Sequence, residues 1–211
     1  MEKKKKNKLV KSWVNRHVND HYVHLASIDG YRSRASYKLL ELDKRFQLFK
    51  NVKVVVDLGC APGSWSQVLC EKFTSTDSIV VGVDLLPIMP LHGLKFIQGD
   101  FTEDSVLSEL VGELNNRQID LILSDMSPNL SGIKVVDQAR SVYLVELVLD
   151  LVKSHLVLHG NCAIKVFHGG EFASIVKKMR ELFEDVVTYK PDASRSQSSE
   201  VYLLGMNKKI A

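Results

Sequence analysis

The chain has 211 residues, 45% hydrophobic and 25% charged, with a formal net charge of +3. That length suits one sizeable domain better than two, and no apolar run reaches the roughly 20 residues that a membrane span requires. Cys60, Cys70 and Cys162 form no CxxC pair, which argues against a disulfide framework and against a cysteine zinc site.

The charge is unevenly spread. Residues 1–50 hold nine Lys and four Arg against five acidic residues, so the rest of the chain is net negative. The cations begin with Lys3, Lys4, Lys5, Lys6, Lys8 and Lys11, opposed there only by Glu2. A basic arm on a near-neutral body marks a polyanion partner, usually nucleic acid; the plain alternative is a solvated tail. No apolar run of signal-peptide type follows these lysines, so the expected location is the cytoplasm. His21 and His24 lie three apart on a predicted helix, but no further ligands accompany them and no metal is expected.

Residues 33–49 predict a helix, with Ala35, Leu39, Leu42, Phe46 and Phe49 on one stripe. From residue 50 strands and helices alternate. The continuous apolar run 52–58 reads as a strand covered on both faces. A helix is predicted over 63–73, strands over 78–84 and 94–98, and a helix over 102–114. A strand follows over 119–125, then a long helix over 136–158, a strand over 161–167 and a helix over 169–183. Strands over 186–189 and 200–205 close the sheet. This order predicts an α/β domain: a doubly wound, Rossmann-like, mostly parallel seven-stranded sheet with helices on both faces. Ligands of such sheets sit beyond the carboxyl ends of the strands, where Asp57, Asp84, Asp100 and Asp125 all fall.

The segment VVVDLGCAPGSWS at 54–66 lacks a dinucleotide fingerprint: Gly59 is followed by Ala61 and Ser64 where two further glycines would stand. It reads instead D-x-G-x-x-x-G, with Gly63 allowing a ligand close to the backbone. Asp84 is placed to accept from ribose hydroxyls, and Asp100 to receive an adenine amino group. Lys165 lies in the strand CAIKVF, where a charge is out of place if both faces are covered. Asp125 ends LILSD, Glu200 opens EVYLL, and Lys38 borders the apolar stripe of the first helix. Taken singly, each has an ordinary explanation as a snorkelling cation, a turn cap or an edge charge.

The segments DLGCAPGSWSQ, VDLLPI, FIQGDF, SDMSPNLSG, AIKVFHGG, KPDASRSQSSEVYLL and RSRASYKLLEL together resemble the FtsJ-type ribosomal RNA 2′-O-ribose methyltransferases, over roughly residues 13–205. The resemblance implies S-adenosylmethionine as methyl donor, leaving S-adenosylhomocysteine, with Gly63, Trp65, Asp84, Asp100 and Asp125 in contact with it. It departs at Cys60 and Ser64, where the family pattern often has small residues. Lys38, Asp125, Lys165 and Glu200 match, in order and in context, the family's Lys-Asp-Lys-Glu tetrad. The implied reaction is methyl transfer to the 2′-OH of a uridine in large-subunit (23S) ribosomal RNA, at the assembled-subunit stage. Lys165 is the expected proton acceptor; a charged Lys165 that stabilises the oxyanion is the rival role. An ordinary lysine is protonated at neutral pH; burial and a second cation ease its deprotonation, and carboxylates oppose it.

The expected organisation is therefore a basic arm or helix over 1–30 that contacts RNA, then a methyltransferase domain over 31–211, acting as a monomer away from membranes. Lys4, Lys5, Lys6, Lys8, Lys11, Arg32, Arg34 and Arg195 are the expected phosphate contacts, supplying affinity rather than sequence choice. Ribosomal RNA and the large subunit are the expected partners. Transfer RNA, a messenger RNA cap and a non-catalytic assembly role stay open as alternatives. A base N-methyltransferase fits less well, because Asp125-Met126-Ser127-Pro128-Asn129 lacks the paired prolines and aromatic of those enzymes.

Overall fold

A computed structural model describes residues 20–210 apart from Leu130 and Ser196. The chain enters through α1 (His21–Asp29), capped by the Asp20 carboxylate, which accepts from the Tyr22 amide at 3.1 Å. Gly30 ends it in the left-handed region (φ 76°). α2 (Ala35–Phe46) follows, and the two helices are joined by the Tyr37 hydroxyl donating to Asp29 (2.6 Å) and by the Tyr22–Tyr37 ring contact. Residues 20–30 thus pack on the body of the fold. Of the expected arm contacts, Lys4, Lys5, Lys6, Lys8 and Lys11 lie outside the described residues.

The alternating part runs β1 (Val54–Leu58), α3 (Ser64–Lys72), β2 (Ile79–Asp84), β3 (Leu94–Gln98), α4 (Asp104–Glu113), β4 (Ile119–Ser124), α5 (Lys134–His155), β5 (Leu156–Phe167), α6 (Phe172–Leu182), β6 (Phe183–Tyr189) and β7 (Glu200–Lys208). The seven strands form one sheet in the order β3-β2-β1-β4-β5-β7-β6. β1 to β5 pair in parallel, and β7 runs antiparallel to both β5 and β6. This is the predicted mostly parallel, doubly wound architecture.

Period-two alternation divides the strand residues between two cores. Val54, Val56, Leu58 and Ile164 face α4, α5 and α6. Val55, Leu121, Leu123, Ala163 and Tyr202 face α2 and α3, meeting Leu39, Leu42 and Trp65. No helix among the described residues is long and apolar enough to cross a membrane.

Several boundaries differ from the sequence-based expectation, most at the ends of α5 and α6. α5 stops at His155 and β5 begins at Leu156, where the helix was expected to reach residue 158 and the strand to begin at 161. The buried ammonium of Lys208 donates to the carbonyls of Lys153 (2.9 Å) and Leu156 (2.7 Å), satisfying the helix end from a strand some fifty residues away. β6 likewise starts at Phe183 rather than 186, and α6 ends one residue before it.

Candidate active site

The carboxyl ends of the central strands present their polar groups along one edge of the sheet. In spatial order these are Asp100 just past β3, Asp84 ending β2, Asp57 in β1, Asp125 just past β4 and Lys165 near the end of β5. The Asp84 carboxylate accepts from the amides of Ala61 and Leu86, both at 2.8 Å, so it fixes the loops after β1 and β2 together. Asp100 accepts from the Thr102 amide at 2.9 Å. Asp57 is fully buried; one oxygen accepts from the Ser66 hydroxyl at 2.6 Å, and the other has no partner among the described residues. Burial pushes its carboxyl up to about 7, against the Ser66 hydrogen bond and with help from the charges of Asp125 and Asp84.

The glycines of this loop also meet a constraint from within the fold. Gly59 (φ 75°) and Gly63 (φ 97°) both adopt the left-handed region. A Cβ on Gly59 would lie 2.8 Å from the Met126 backbone, and one on Gly63 would lie 2.6 Å from the Arg32 guanidinium. The protein's own chain therefore approaches both glycines closely. Arg32 donates to the carbonyls of Pro62 (2.9 Å) and Pro90 (3.1 Å), clamping the loops after β1 and β2.

Arg34 is also used inside the fold: it pairs with Asp20, donates to the Ala193 carbonyl and lies over the Tyr22 ring. Burial, with the charge of Arg195 nearby, holds its guanidinium below the ordinary value. Of the expected phosphate contacts, Arg32 and Arg34 each also bind partners within the fold, and Arg195 is exposed. Trp65 is 2% exposed, donates from Nε1 to the Ala35 carbonyl at 2.8 Å and packs its ring on Tyr202. Its side chain braces the site from behind.

Lys38, Asp125, Lys165 and Glu200 come together. Lys165 and Tyr202 are direct cross-strand partners in β5 and β7, and Glu200 sits two residues before Tyr202 on the same face. α2 packs over that face and delivers Lys38. Lys165 Nζ lies 3.1 Å from Asp125 Oδ1 and also donates to the Asp125 carbonyl. Lys38 Nζ lies 2.7 Å from Glu200 Oε1. The buried Tyr202 hydroxyl joins the two pairs: it donates to Asp125 Oδ1 at 2.6 Å and stands 3.4 Å from Lys38 Nζ. Burial raises the Tyr202 phenol well above its ordinary value, and Asp125 raises it further. Burial also pushes Glu200 upward, but the ammoniums of Lys38 and Lys165 outweigh it and hold the carboxyl below its usual range.

Tyr202 was not singled out from the sequence. The signal was present: it follows Glu200 by two residues in a strand, which places both side chains on one face. Among the described residues no group of three His, Cys, Asp or Glu is arranged to hold a metal.

The profile of FtsJ-like methyltransferases matches residues 31–208. The chain is 52% identical over 204 residues to the ribosomal RNA large subunit methyltransferase E of a Neisseria meningitidis serogroup C strain, covering 97% of this chain and 98% of that one. It is also 52% identical over 203 residues to the protein of the same name in an Azoarcus species, covering 96% and 98%. Among solved structures, a Plasmodium falciparum protein described as a ribosomal RNA methyltransferase superposes with a TM-score of 0.75 at 30% identity, covering 84% of this chain and 98% of that one. The chain belongs to the FtsJ-like methyltransferase family.

Proposed function

We propose that this enzyme transfers a methyl group from S-adenosylmethionine to the ribose 2′-OH of a uridine in large-subunit ribosomal RNA, with the assembled subunit in the cytoplasm as substrate. The observation that carries the reading is the buried Lys38–Glu200 and Lys165–Asp125 double pair joined by Tyr202. Such a cluster suits the removal of a proton from a weakly acidic hydroxyl, and a base-methylating site has no use for it. The likeness to ribosomal RNA large subunit methyltransferases supports large-subunit ribosomal RNA as the substrate class.

The edge residues fit the donor. Asp84 and Asp100 are partly exposed carboxylates with acceptor capacity beyond their backbone bonds, suited to hydroxyl and amino groups. Asp57 adds a buried oxygen that awaits a hydrogen-bond donor. When bound, the donor supplies a methyl group on a sulfonium, a good leaving group.

The work of the protein is then alignment and proton removal. Lys165 places two N–H groups on Asp125, one on the carboxylate and one on the carbonyl. The third position on Nζ meets the substrate hydroxyl. With a lone pair there, Lys165 takes the proton as the oxygen bonds to carbon. Asp125, held by Tyr202, fixes the direction of that lone pair and favours the ammonium that forms. Lys38, balanced by Glu200, attracts the charge that develops on oxygen. The lysine arm over residues 3–11 contributes phosphate contacts and affinity.

The test is transfer of label from S-adenosylmethionine to large subunits that lack the modification, with the product nucleoside identified by mass. The expected product is 2′-O-methyluridine. Label on a base would overturn the reaction type, and label only on transfer RNA would overturn the substrate.

A further inference from the structure

Lys38 and the loop after β1 belong to different parts of the chain, and methyl transfer needs them in register. Lys38 rides on α2, and its ammonium joins Glu200 and Tyr202. The loop ends at Gly63, where α3 begins with Ser64. A line of hydrogen bonds runs between these two segments. The Ser36 hydroxyl donates to the Ser64 carbonyl at 3.0 Å. The Ser33 and Ser64 hydroxyls bond each other at 2.7 Å, and Ser33 Oγ also accepts from the Ala35 amide at 3.1 Å. Farther along, the Arg32 amide donates to Gln67 Oε1 and Gln67 Nε2 donates to the Gly30 carbonyl, both at 3.0 Å. The Trp65–Ala35 bond completes the line.

Ser36 is 0% exposed and Ser64 2%. Alanine would fill either position without a polar group to satisfy, and it is the better helix former. A buried hydroxyl needs its hydrogen bond, and the net stability that the bond adds is small beside the distance and direction it fixes. Ser36 and Lys38 are two residues apart on one helix, a rise of about 3 Å. A slip of α2 along α3 therefore moves the base of the Lys38 side chain by the same amount, while its ammonium is held by Glu200. Misplacement by about 1 Å costs on the order of 10²-fold in an aligned reaction.

We propose that Ser36 is a positioning residue for methyl transfer, acting through Lys38: with Ser64 and Ser33 it fixes the helix that carries Lys38 to the loop that receives the donor. The proposal rests on the ribose-methylation reading and deepens it. Ser36 is fully enclosed and bonds only to the protein, so its loss acts on the rate with both substrates bound rather than on either affinity.

The test is a double-mutant cycle on the single-turnover rate of methyl transfer to large subunits that lack the modification, at saturating S-adenosylmethionine. Wild type, Ser36→Ala, Lys38→Ala and the double variant are compared, with the Kd for the donor and the Tm measured on each. Ser36→Ala is expected to slow wild type about 5- to 50-fold, within the range for misalignment. In the Lys38→Ala background the same change is expected to cost less than about twofold, because nothing is left to position. Donor Kd is expected to be unchanged throughout. Asp43→Ala serves as the control for stability alone: Asp43 accepts from the Phe49 amide at 2.9 Å at the other end of α2. It is expected to lower Tm and leave the rate as in wild type. Ser33→Ala breaks the line at a half-buried position and is expected to repeat the Ser36→Ala pattern at smaller size, so the test stands if Ser36→Ala does not fold. Equal rate losses in both backgrounds, a wild-type rate in the serine variants, or a loss seen only as a higher donor Kd would overturn the positioning role and leave the ribose reading intact. Absence of any ribose methylation by wild type would remove both.

Discussion

Lys165 and Tyr202 face each other across the β5–β7 ladder and converge on one atom, Asp125 Oδ1, at 3.1 and 2.6 Å. Lys165, the proposed proton acceptor, is therefore oriented by a carboxylate that is itself held by a buried phenol. Tyr202→Phe removes the phenol's bond and keeps the ring against Trp65. Single-turnover rates are expected to fall about 5- to 30-fold, with a stability loss of only ~1 kcal/mol, the ordinary value of one hydrogen bond. An unchanged rate together with a large loss of Tm would show that Tyr202 serves packing alone.

The strands and their acids were legible in the sequence because continuous apolar runs and terminal carboxylates are local features; 94–98 was predicted to the residue. Of the four clustered residues only Lys165, inside CAIKVF, breaks a local rule; Lys38, Asp125 and Glu200 each have an ordinary local explanation, and it was the family resemblance that grouped them. What was hidden depends on partners distant in the chain. Leu151 to Leu158 reads equally as helix or strand, and the choice is settled by Lys208 reaching the carbonyls of Lys153 and Leu156. Gly59 and Gly63 declared a close approach, but nothing local said that Met126 and Arg32 lie against them. Arg32 and Arg34 looked like surface cations because their acceptors, Pro90 and Ala193, lie far along the sequence.

Arg32→Ala and deletion of residues 2–11 should therefore separate. Loss of Arg32 frees the clamp on Pro62 and Pro90, and the Kd for S-adenosylmethionine is expected to rise about tenfold, corresponding to ~1.4 kcal/mol, with little change in the salt dependence of RNA binding. Deleting the arm is expected to spare the donor and to flatten the plot of log K against log salt by about 0.7–0.9 for each phosphate that the arm no longer neutralises. Calorimetry and salt-series binding assays read the two effects. The opposite assignment of effects would contradict the placement of Arg32.

Asp57 makes stability depend on pH in a definite direction. Its folded pKa of about 7 stands above the ordinary 3.8. The folded state therefore holds the extra proton between these values, and the stability this group contributes is present at low pH and lost as pH rises through about 7. Asp57→Asn keeps an oxygen for Ser66 and cannot ionise. Its Tm relative to wild type is expected to climb as pH goes from 4 to 8 and then level off. A difference that is flat over this range would show that Asp57 titrates normally.

The Lys38–Glu200 pair behaves in the opposite sense. Glu200 is held below its ordinary 4.5, so its stabilising contribution is present above that value and lost as pH falls through the lower folded pKa. Glu200→Gln is expected to be less stable than wild type at pH 7, by roughly 1–3 kcal/mol for a charged hydrogen bond, with the gap closing below about pH 4. Thermal melts from pH 3 to 7 check this, and a gap that persists at pH 3 would contradict it.

The central claim is that Lys165 takes the proton. Its most direct test is single-turnover methyl transfer to large subunits at saturating S-adenosylmethionine, with Lys165→Ala and Lys165→Arg beside wild type and donor affinity measured on each. General-base removal predicts a loss of about 10²- to 10⁴-fold in both variants with donor binding preserved, because a guanidinium keeps the charge but cannot accept a proton near neutral pH. A Lys165→Arg enzyme within a few-fold of wild type would contradict the claim and leave Lys165 as a fixed positive charge.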